Sequence, residues 1–368
     1  MQIAELIHER GPTTVAAFMD LALYHPDLGY YTRVARRTGK TGDFFTSVDV
    51  GPLFGDLIAD QVAEMARLLV AAGPFDLVEV GAGDGRLAAD VLGALRARHL
   101  DVYDRTRLHL VEASAAARAA HAAALAGMAD RLAVSSPSMP EDFTGVLLAN
   151  ELLDAMPVHQ VVMRPDGLRE IYVVSDGRRL TTCEAPPSTP ALAACLLRQG
   201  VHLAPGWRAE IGLRAQEWVR EAGHRLRAGF MILFDYGHEA AELYSATHAG
   251  GTLTTFSGHR SKEVEESAGR APWLERPGDL DITSHVNFTD LRWQAEQEGL
   301  DVLAFLDQTY FVMGLATPRL DSLGTKDRRA FRTLLMPGAL GSIMKVMILG
   351  KGVGTPALAC CSAGVRAT

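Results

Sequence analysis

A chain of 368 residues that is 48% apolar and 22% charged is long enough for one large α/β domain with insertions or for two domains. Its formal net charge of −8 argues against bulk binding to nucleic acid or an anionic membrane, and no apolar run approaches the ~20 residues of a membrane span. The four cysteines, Cys183, Cys195, Cys360 and Cys361, show neither a paired metal spacing nor a disulfide framework, and residues 1–5 open no long apolar leader, so a cytoplasmic protein is expected.

Residues 1–72 are expected to form an N-terminal helical cap. Apolar residues recur at helical spacing in Ile3, Leu6 and Ile7 and again in Val15, Phe18, Met19 and Leu21. An aromatic loop punctuated by Pro and Gly follows over residues 23–31, then the run 41–47 (Thr-Gly-Asp-Phe-Phe-Thr-Ser), then an apolar helix through Leu53, Phe54, Leu57, Ile58 and Val62.

Residues 73–356 are read as the core. The run 75–80 predicts a short buried strand, and Leu87, Val91, Leu92 and Leu95 recur at helical spacing, so Gly81, Gly83 and Gly85 fall in a strand-to-helix turn. Glycines there accept unusual backbone angles and let a ligand approach the main chain. A dinucleotide site would want glycines at the first, third and sixth positions, and here Arg86 holds the sixth. Glu79 followed by the three glycines instead resembles the first motif of class I S-adenosylmethionine-dependent methyltransferases. That cofactor offers a cationic aminoacyl sulfonium in place of phosphate, which suits a carboxylate. The resemblance implies a second acid ending the next strand, where it accepts the ribose hydroxyls, and Glu112 supplies it after residues 107–111. Either feature alone would be an ordinary turn or a solvated acid.

After Glu112 an Ala-rich helix is predicted to about residue 128, then a weak strand at 132–134 and a buried strand at 145–150. Alternating runs around Asp166-Gly167 and Asp176-Gly177 predict an antiparallel β insertion at about 158–184. A long helix over about 207–226 leads to a strand whose polar end carries Asp235, Tyr236 and His238. Residues 240–281 are rich in Gly, Ser and charge with little periodicity, which predicts a substrate loop. A helix over about 287–298, strands over 302–306 and 310–313, a solvated helical face at 326–332 and a last strand at 343–349 precede a tail from 357. Alternating strands and helices predict a Rossmann-like, doubly wound, mostly parallel sheet, with ligands beyond the carboxyl ends of its strands. Glu79, Glu112, Asn150 and Asp235 all fall at such ends.

Together, residues 23–31, 42–47, 54–55, 79–85, 149–160, 235–238, 258–260, 281–288 and 336–338 resemble the MidA-like family of class I methyltransferases, with 150–160 the most specific block. The resemblance spans nearly the whole chain. It implies a class I core beneath an N-terminal cap, with S-adenosyl-L-methionine as cofactor and Gly42, Asp43 and Phe44 closing over it. From the family's mitochondrial member it implies symmetric dimethylation of an arginine on a respiratory complex I subunit. Asn287 stands where relatives commonly carry Asp.

A guanidinium is a poor nucleophile, because its charge is delocalised and it keeps its protons to a pKa above about 12. Acids that bind its remaining nitrogens would localise the reacting lone pair. Glu151 and Asp154, three apart and expected at the opening of a helix, are the candidates for that work, with helix capping as their other role. Asn150 would position a substrate amine or cap the strand end. Asp235, Tyr236, His238, His259 and His285 are substrate-side candidates. The spacings of the twelve histidines contain no recognisable metal set, so no metal is expected. The favoured activity is arginine N-methylation of a protein substrate, with neither nucleic acid nor membrane insertion involved. Methylation of a small molecule or another side chain, and an assembly factor that binds the cofactor and acts by contact, are the alternatives.

Overall fold

The computed structural model describes residues 2–33, 46–69, 73–257, 260–262, 271–336 and 343–362. Seven strands build the central sheet: β1 (Phe75–Val80), β2 (Thr106–Val111), β3 (Leu132–Ser136), β4 (Phe143–Asn150), β5 (Leu226–His238), β6 (Asp301–Asp307) and β7 (Met344–Lys351). Their spatial order is β3-β2-β1-β4-β5-β7-β6. Neighbours from β3 to β5 are parallel, whereas β7 runs antiparallel between β5 and β6. The pair Val286–Asn287 adds a short parallel strand at Gly237 and His238, the end of β5.

β4, β5 and β7 carry long apolar runs because both faces of the sheet are covered, and β1 is buried along its whole length even at Asp76 and Glu79. Helices Leu53–Leu68, Arg86–Arg98 and Gln308–Ala316 bury one face, through residues such as Phe54, Leu57, Val91 and Phe311. Helices Leu213–Arg225 and Phe288–Gln297 cover the other through Trp218, Val219, Phe288 and Leu291.

A second lobe is built on a separate antiparallel sheet. Strands Thr13–Thr14, Gly167–Ser175, His159–Arg164 and Arg208–Ile211 pair antiparallel in that order, with Leu180–Ala185 added to Gly167–Ser175. Helices Ile3–Arg10 and Val15–Tyr24 pack on this sheet, Ile7, Phe18 and Met19 sharing a core with Val162, Ile171 and Val173. Trp273, from the segment 240–281 expected to be aperiodic, and Ile282, just past its end, complete the same core. That segment holds a three-stranded antiparallel sheet with Thr254–Ser257 between Arg260–Lys262 and Asp281–Thr283. The two Asp-Gly hairpins form as predicted, with Arg164 opposite Gly167 and Ser175 opposite Leu180.

Several expected elements are revised. Residues 310–313 belong to the helix Gln308–Ala316, since a short apolar run carries no alternation to separate strand from helix. The helix expected from 207 starts at Leu213, because Arg208–Ile211 is recruited as an edge strand by His159–Arg164. The Ala-rich helix stops at Ala124 and continues as the tighter turn Ala126–Arg131, and Ala191–Arg198 is a helix the sequence did not announce. Residues 151–156 form an irregular turn, so Glu151 and Asp154 do not open a helix.

Candidate active site

Beyond β1 the chain turns through Gly81 (φ 74°), Gly83 (φ 55°) and Gly85 (φ 82°) into the helix Arg86–Arg98. All three lie in the left-handed region that a side chain disfavours, and a Cβ on Gly83 would meet nothing within 4 Å, leaving its approach open. Glu112, just past β2, accepts from the Gly83 amide at 2.9 Å and the Ser114 amide at 2.8 Å. Buried His121 bridges the Gly83 carbonyl and the Ser135 hydroxyl, each at 2.9 Å. From the other side Arg86 pairs with Asp49 at 2.5 Å, and Asp49 also accepts from the Thr46 amide at 2.9 Å. The turn is thus fastened both to β3 and to the residues that follow 42–45.

Glu79 is buried, and its Oε2 has no hydrogen-bond partner. Burial pushes its pKa up to about 8, against the pull of the Ala88 amide. An orphaned carboxylate oxygen, an open face at Gly83 and a half-buried acid at Glu112 fit a ligand with a cationic aminoacyl group and ribose hydroxyls. Glu79 could hold the cationic end and Glu112 the ribose.

Past β4 the chain enters the 151–154 turn. Glu151 sits at φ 52°, a conformation costing a non-glycine residue on the order of 1–3 kcal/mol. The strain is held in place by the Glu151 amide donating to the Phe234 carbonyl at 2.9 Å and by Asp235. That carboxylate accepts from the amides of Leu152 (3.1 Å), Leu153 (2.7 Å) and Tyr236 (2.9 Å), so Asp235 organises the turn. Burial, then the charge of Asp235, pushes the pKa of Glu151 up to about 8. Burial, then Asp235 and Glu151, holds Asp154 well above the carboxylate range, and burial lifts Asp235 to about 7 despite its amide bonds. Among the described residues no cation lies within ion-pair reach of Glu151 or Asp154.

Two tyrosines from the N-terminal lobe face these acids. Tyr24 and Tyr31 stack at 5.5 Å between ring centroids, Tyr31 donates to Asp281 at 2.8 Å, and Tyr24 donates to the Ala155 carbonyl at 3.0 Å. Burial, then Asp281, raises the pKa of both phenols, with Asp154 contributing to each, so they stay protonated donors. Tyr236 is raised likewise by burial and by Glu151 and Asp154. The Asn150 amide donates to Glu151 at 3.4 Å while its own Oδ1 is buried without a partner, and the Ser47 amide also bonds Glu151.

The structure therefore brings Asn150, Glu151, Asp154, Asp235 and Tyr236 together. It groups His238 and His285 with a third histidine, His248. Gly42, Asp43, Phe44 and His259 lie outside the described residues. Tyr24, Tyr31 and Asp281 were not among the sequence candidates; the aromatic spacing of 23–31 and the acid opening 281–288 were the available signals. Asn287 caps the helix Phe288–Gln297 by accepting from Thr289 and Asp290, a task Asn and Asp perform about equally.

Over residues 57–306 the chain matches the model of a family of S-adenosyl-L-methionine-dependent methyltransferases. The chain belongs to that family. The methyltransferase superposes on the crystal structure of a superfamily protein from Burkholderia thailandensis bound to S-adenosyl-homocysteine, at TM-score 0.88 and 28% identity over 99% of this chain and 95% of that one. Among curated relatives are the proteins named "Protein arginine methyltransferase NDUFAF7, mitochondrial" of mouse and cattle. The mouse protein is 29% identical over 79% of this chain and 68% of its own length, the bovine one 28% identical over 94% and 79%. The Rossmann-like class I fold and the S-adenosylmethionine dependence expected from the glycine turn thus hold for this methyltransferase. The cytoplasmic placement is corrected: these relatives, and the human one, are named as mitochondrial. Free thiols fit any reducing compartment, which is why the cysteines could not discriminate.

Proposed function

We propose that this methyltransferase methylates an arginine guanidinium on a protein, and that Glu151 and Asp154 hold the guanidinium. The observation that carries the reading is a pocket of acids, Glu151 and Asp154 with Asp281 nearby, that no lysine or arginine of the described chain neutralises at the first two. Such a site favours a ligand that arrives as a cation, and a planar guanidinium presents several N–H donors to it at once. The relatives' name, which specifies arginine, supports the same substrate.

S-adenosylmethionine supplies the electrophilic methyl group when bound. In this reading Glu79 takes its cationic end and Glu112 its ribose, with Gly81, Gly83 and Gly85 letting it lie on the main chain. The MidA-like resemblance assigns closure over the cofactor to Gly42, Asp43 and Phe44, which lie outside the described residues. Glu151 and Asp154 accept from the two guanidinium nitrogens that do not react, which concentrates the lone pair on the third. Asn150 orients Glu151, and Asp235 keeps the strained turn in register. The proton released on methylation passes to the pocket acids, whose raised pKa values suit a base working near neutrality. We further infer, from the MidA-like resemblance, a respiratory complex I subunit as target and symmetric dimethylarginine as product.

The test is methyl transfer from labelled S-adenosylmethionine into the proteome of a deletion strain, followed by hydrolysis and amino-acid analysis. Label in methylarginine supports the reading. Label confined to lysine or to small molecules, or none beside tight S-adenosylhomocysteine binding, overturns it.

A further inference from the structure

Three histidines from separate stretches of chain meet at the far end of β5. His238 is its last residue, His248 closes the short turn Ala246–His248, and His285 precedes the Val286–Asn287 strand that pairs with β5. Their ring centroids are 5.0 Å (His238 to His248), 5.2 Å (His238 to His285) and 5.8 Å (His248 to His285) apart. One nitrogen from each ring lies within 4.8 Å of the other two. The positions 238, 248 and 285 match no linear metal motif, so sequence spacing gave no warning of the cluster.

Three features point to a missing central ligand. The Nδ1 atom of His285 is buried and makes no hydrogen bond, a situation that calls for an explanation in a folded protein, and the buried Nδ1 of His238 faces the Glu242 carboxylate at its edge. His248 has its Nδ1 oriented by the Glu242 carbonyl at 3.1 Å, which leaves Nε2 as its free donor atom; metal-ligating histidines commonly have their second nitrogen fixed in this way. The Glu242 carboxylate reaches to 3.1 Å from His238 Nδ1 without hydrogen-bond alignment, adding an oxygen at the edge of the cluster.

We propose that His238, His248 and His285, with the Glu242 carboxylate as fourth ligand, bind one zinc ion. Three neutral imidazoles and a carboxylate are a donor set zinc accepts in tetrahedral geometry. Ligands at zinc bond lengths sit roughly 3.3 Å from one another, so the rings close inward by side-chain rotation. With four protein ligands the sphere is closed and the ion is structural. Its consequence is positional. It joins the end of β5 to the segment after residue 240 and to residues 284–285, and the Ser284 amide donates to the Asp154 carbonyl at 3.0 Å. The ion therefore fixes the backbone on which the acid pocket rests.

The 368-residue chain is stripped with a strong chelator, dialysed, and titrated with Zn²⁺ against a chromophoric competitor, with Co²⁺ as a spectroscopic substitute. One ion per chain, a higher melting temperature with zinc, and the intense visible bands of tetrahedral cobalt are expected. His248→Asn and His285→Asn should each weaken binding on the order of a hundredfold, whereas His224→Asn, at an exposed histidine outside the cluster, should not. Metal-free melts of the variants matching the metal-free parent establish that they fold. No stoichiometric zinc in the parent, or unchanged affinity in both cluster variants, overturns the proposal.

Discussion

Glu151→Gln removes one charge from the pocket while keeping its shape. In the free enzyme Glu151 is pushed up to about 8, so at pH 7 it is mostly protonated already, and a neutral amide should cost the fold less than about 1 kcal/mol. Gln can still accept from the Asn150 amide that lies 3.4 Å from Oε1. In the transition state the carboxylate would accept a charge-assisted bond from the guanidinium, worth on the order of 2–4 kcal/mol, so turnover should fall roughly thirty- to a thousand-fold. The pH dependence has a definite sign. A carboxyl whose folded pKa lies above its unfolded value of about 4.5 binds more protons folded than unfolded, so it costs stability progressively as pH rises from there through 8. Glu151→Gln should therefore gain melting temperature relative to the parent as pH rises across that window. Melts at pH 6 and 9, beside single-turnover methylation of the identified target, measure both effects. An unchanged rate with a melting temperature lowered at both pH values would refute the substrate role.

Glu112→Ala should weaken S-adenosylhomocysteine binding roughly ten- to hundred-fold by calorimetry, the worth of a charged hydrogen bond; tight NAD binding in its place would sink the cofactor geometry. If the pocket must ionise to take a cation, kcat/KM for an arginine substrate should rise with pH through about 7 to 8, where Asp235 and Glu151 titrate, and a flat profile from pH 6 to 9 would contradict this. Tyr31→Phe deletes the 2.8 Å bond to Asp281 and should lower methyl transfer about tenfold with cofactor affinity unchanged, whereas weakened cofactor binding would place Tyr31 elsewhere. Trp273→Ala, removing a buried ring 5.6 Å from Phe18, should destabilise the substrate lobe by about 3–5 kcal/mol in denaturant melts, and a neutral result would mean that this core is not needed.

What the sequence made legible was local. β4 and β5 announce themselves because a strand covered on both faces is largely apolar, and the cofactor turn does because Glu79, the glycines and Glu112 sit in one strand-turn-helix-strand unit. The pocket was only half visible. Glu151 and Asp154 are neighbours in sequence, but their turn looked like a helix start because its irregular shape is imposed from β5, by Asp235 bonding three amides. Tyr24, Tyr31 and Asp281 reach the same place from opposite ends of the chain, and nothing in their own surroundings encodes that meeting. The three histidines were hidden for the same reason.

The N-terminal helices have a consequence for how the protein is made. Ile7 and Phe18 are synthesised long before Trp273 and Ile282, which finish their core. At a translation rate of ~5–20 residues per second, the apolar faces of Ile3–Arg10 and Val15–Tyr24 wait on the order of tens of seconds for their last partners. The sheet that carries the glycine turn has several adjacent strands available earlier, so a nascent chain can assemble its cofactor half while its substrate half remains open. That half-built interval is when the chain is most exposed to aggregation and most in need of a chaperone.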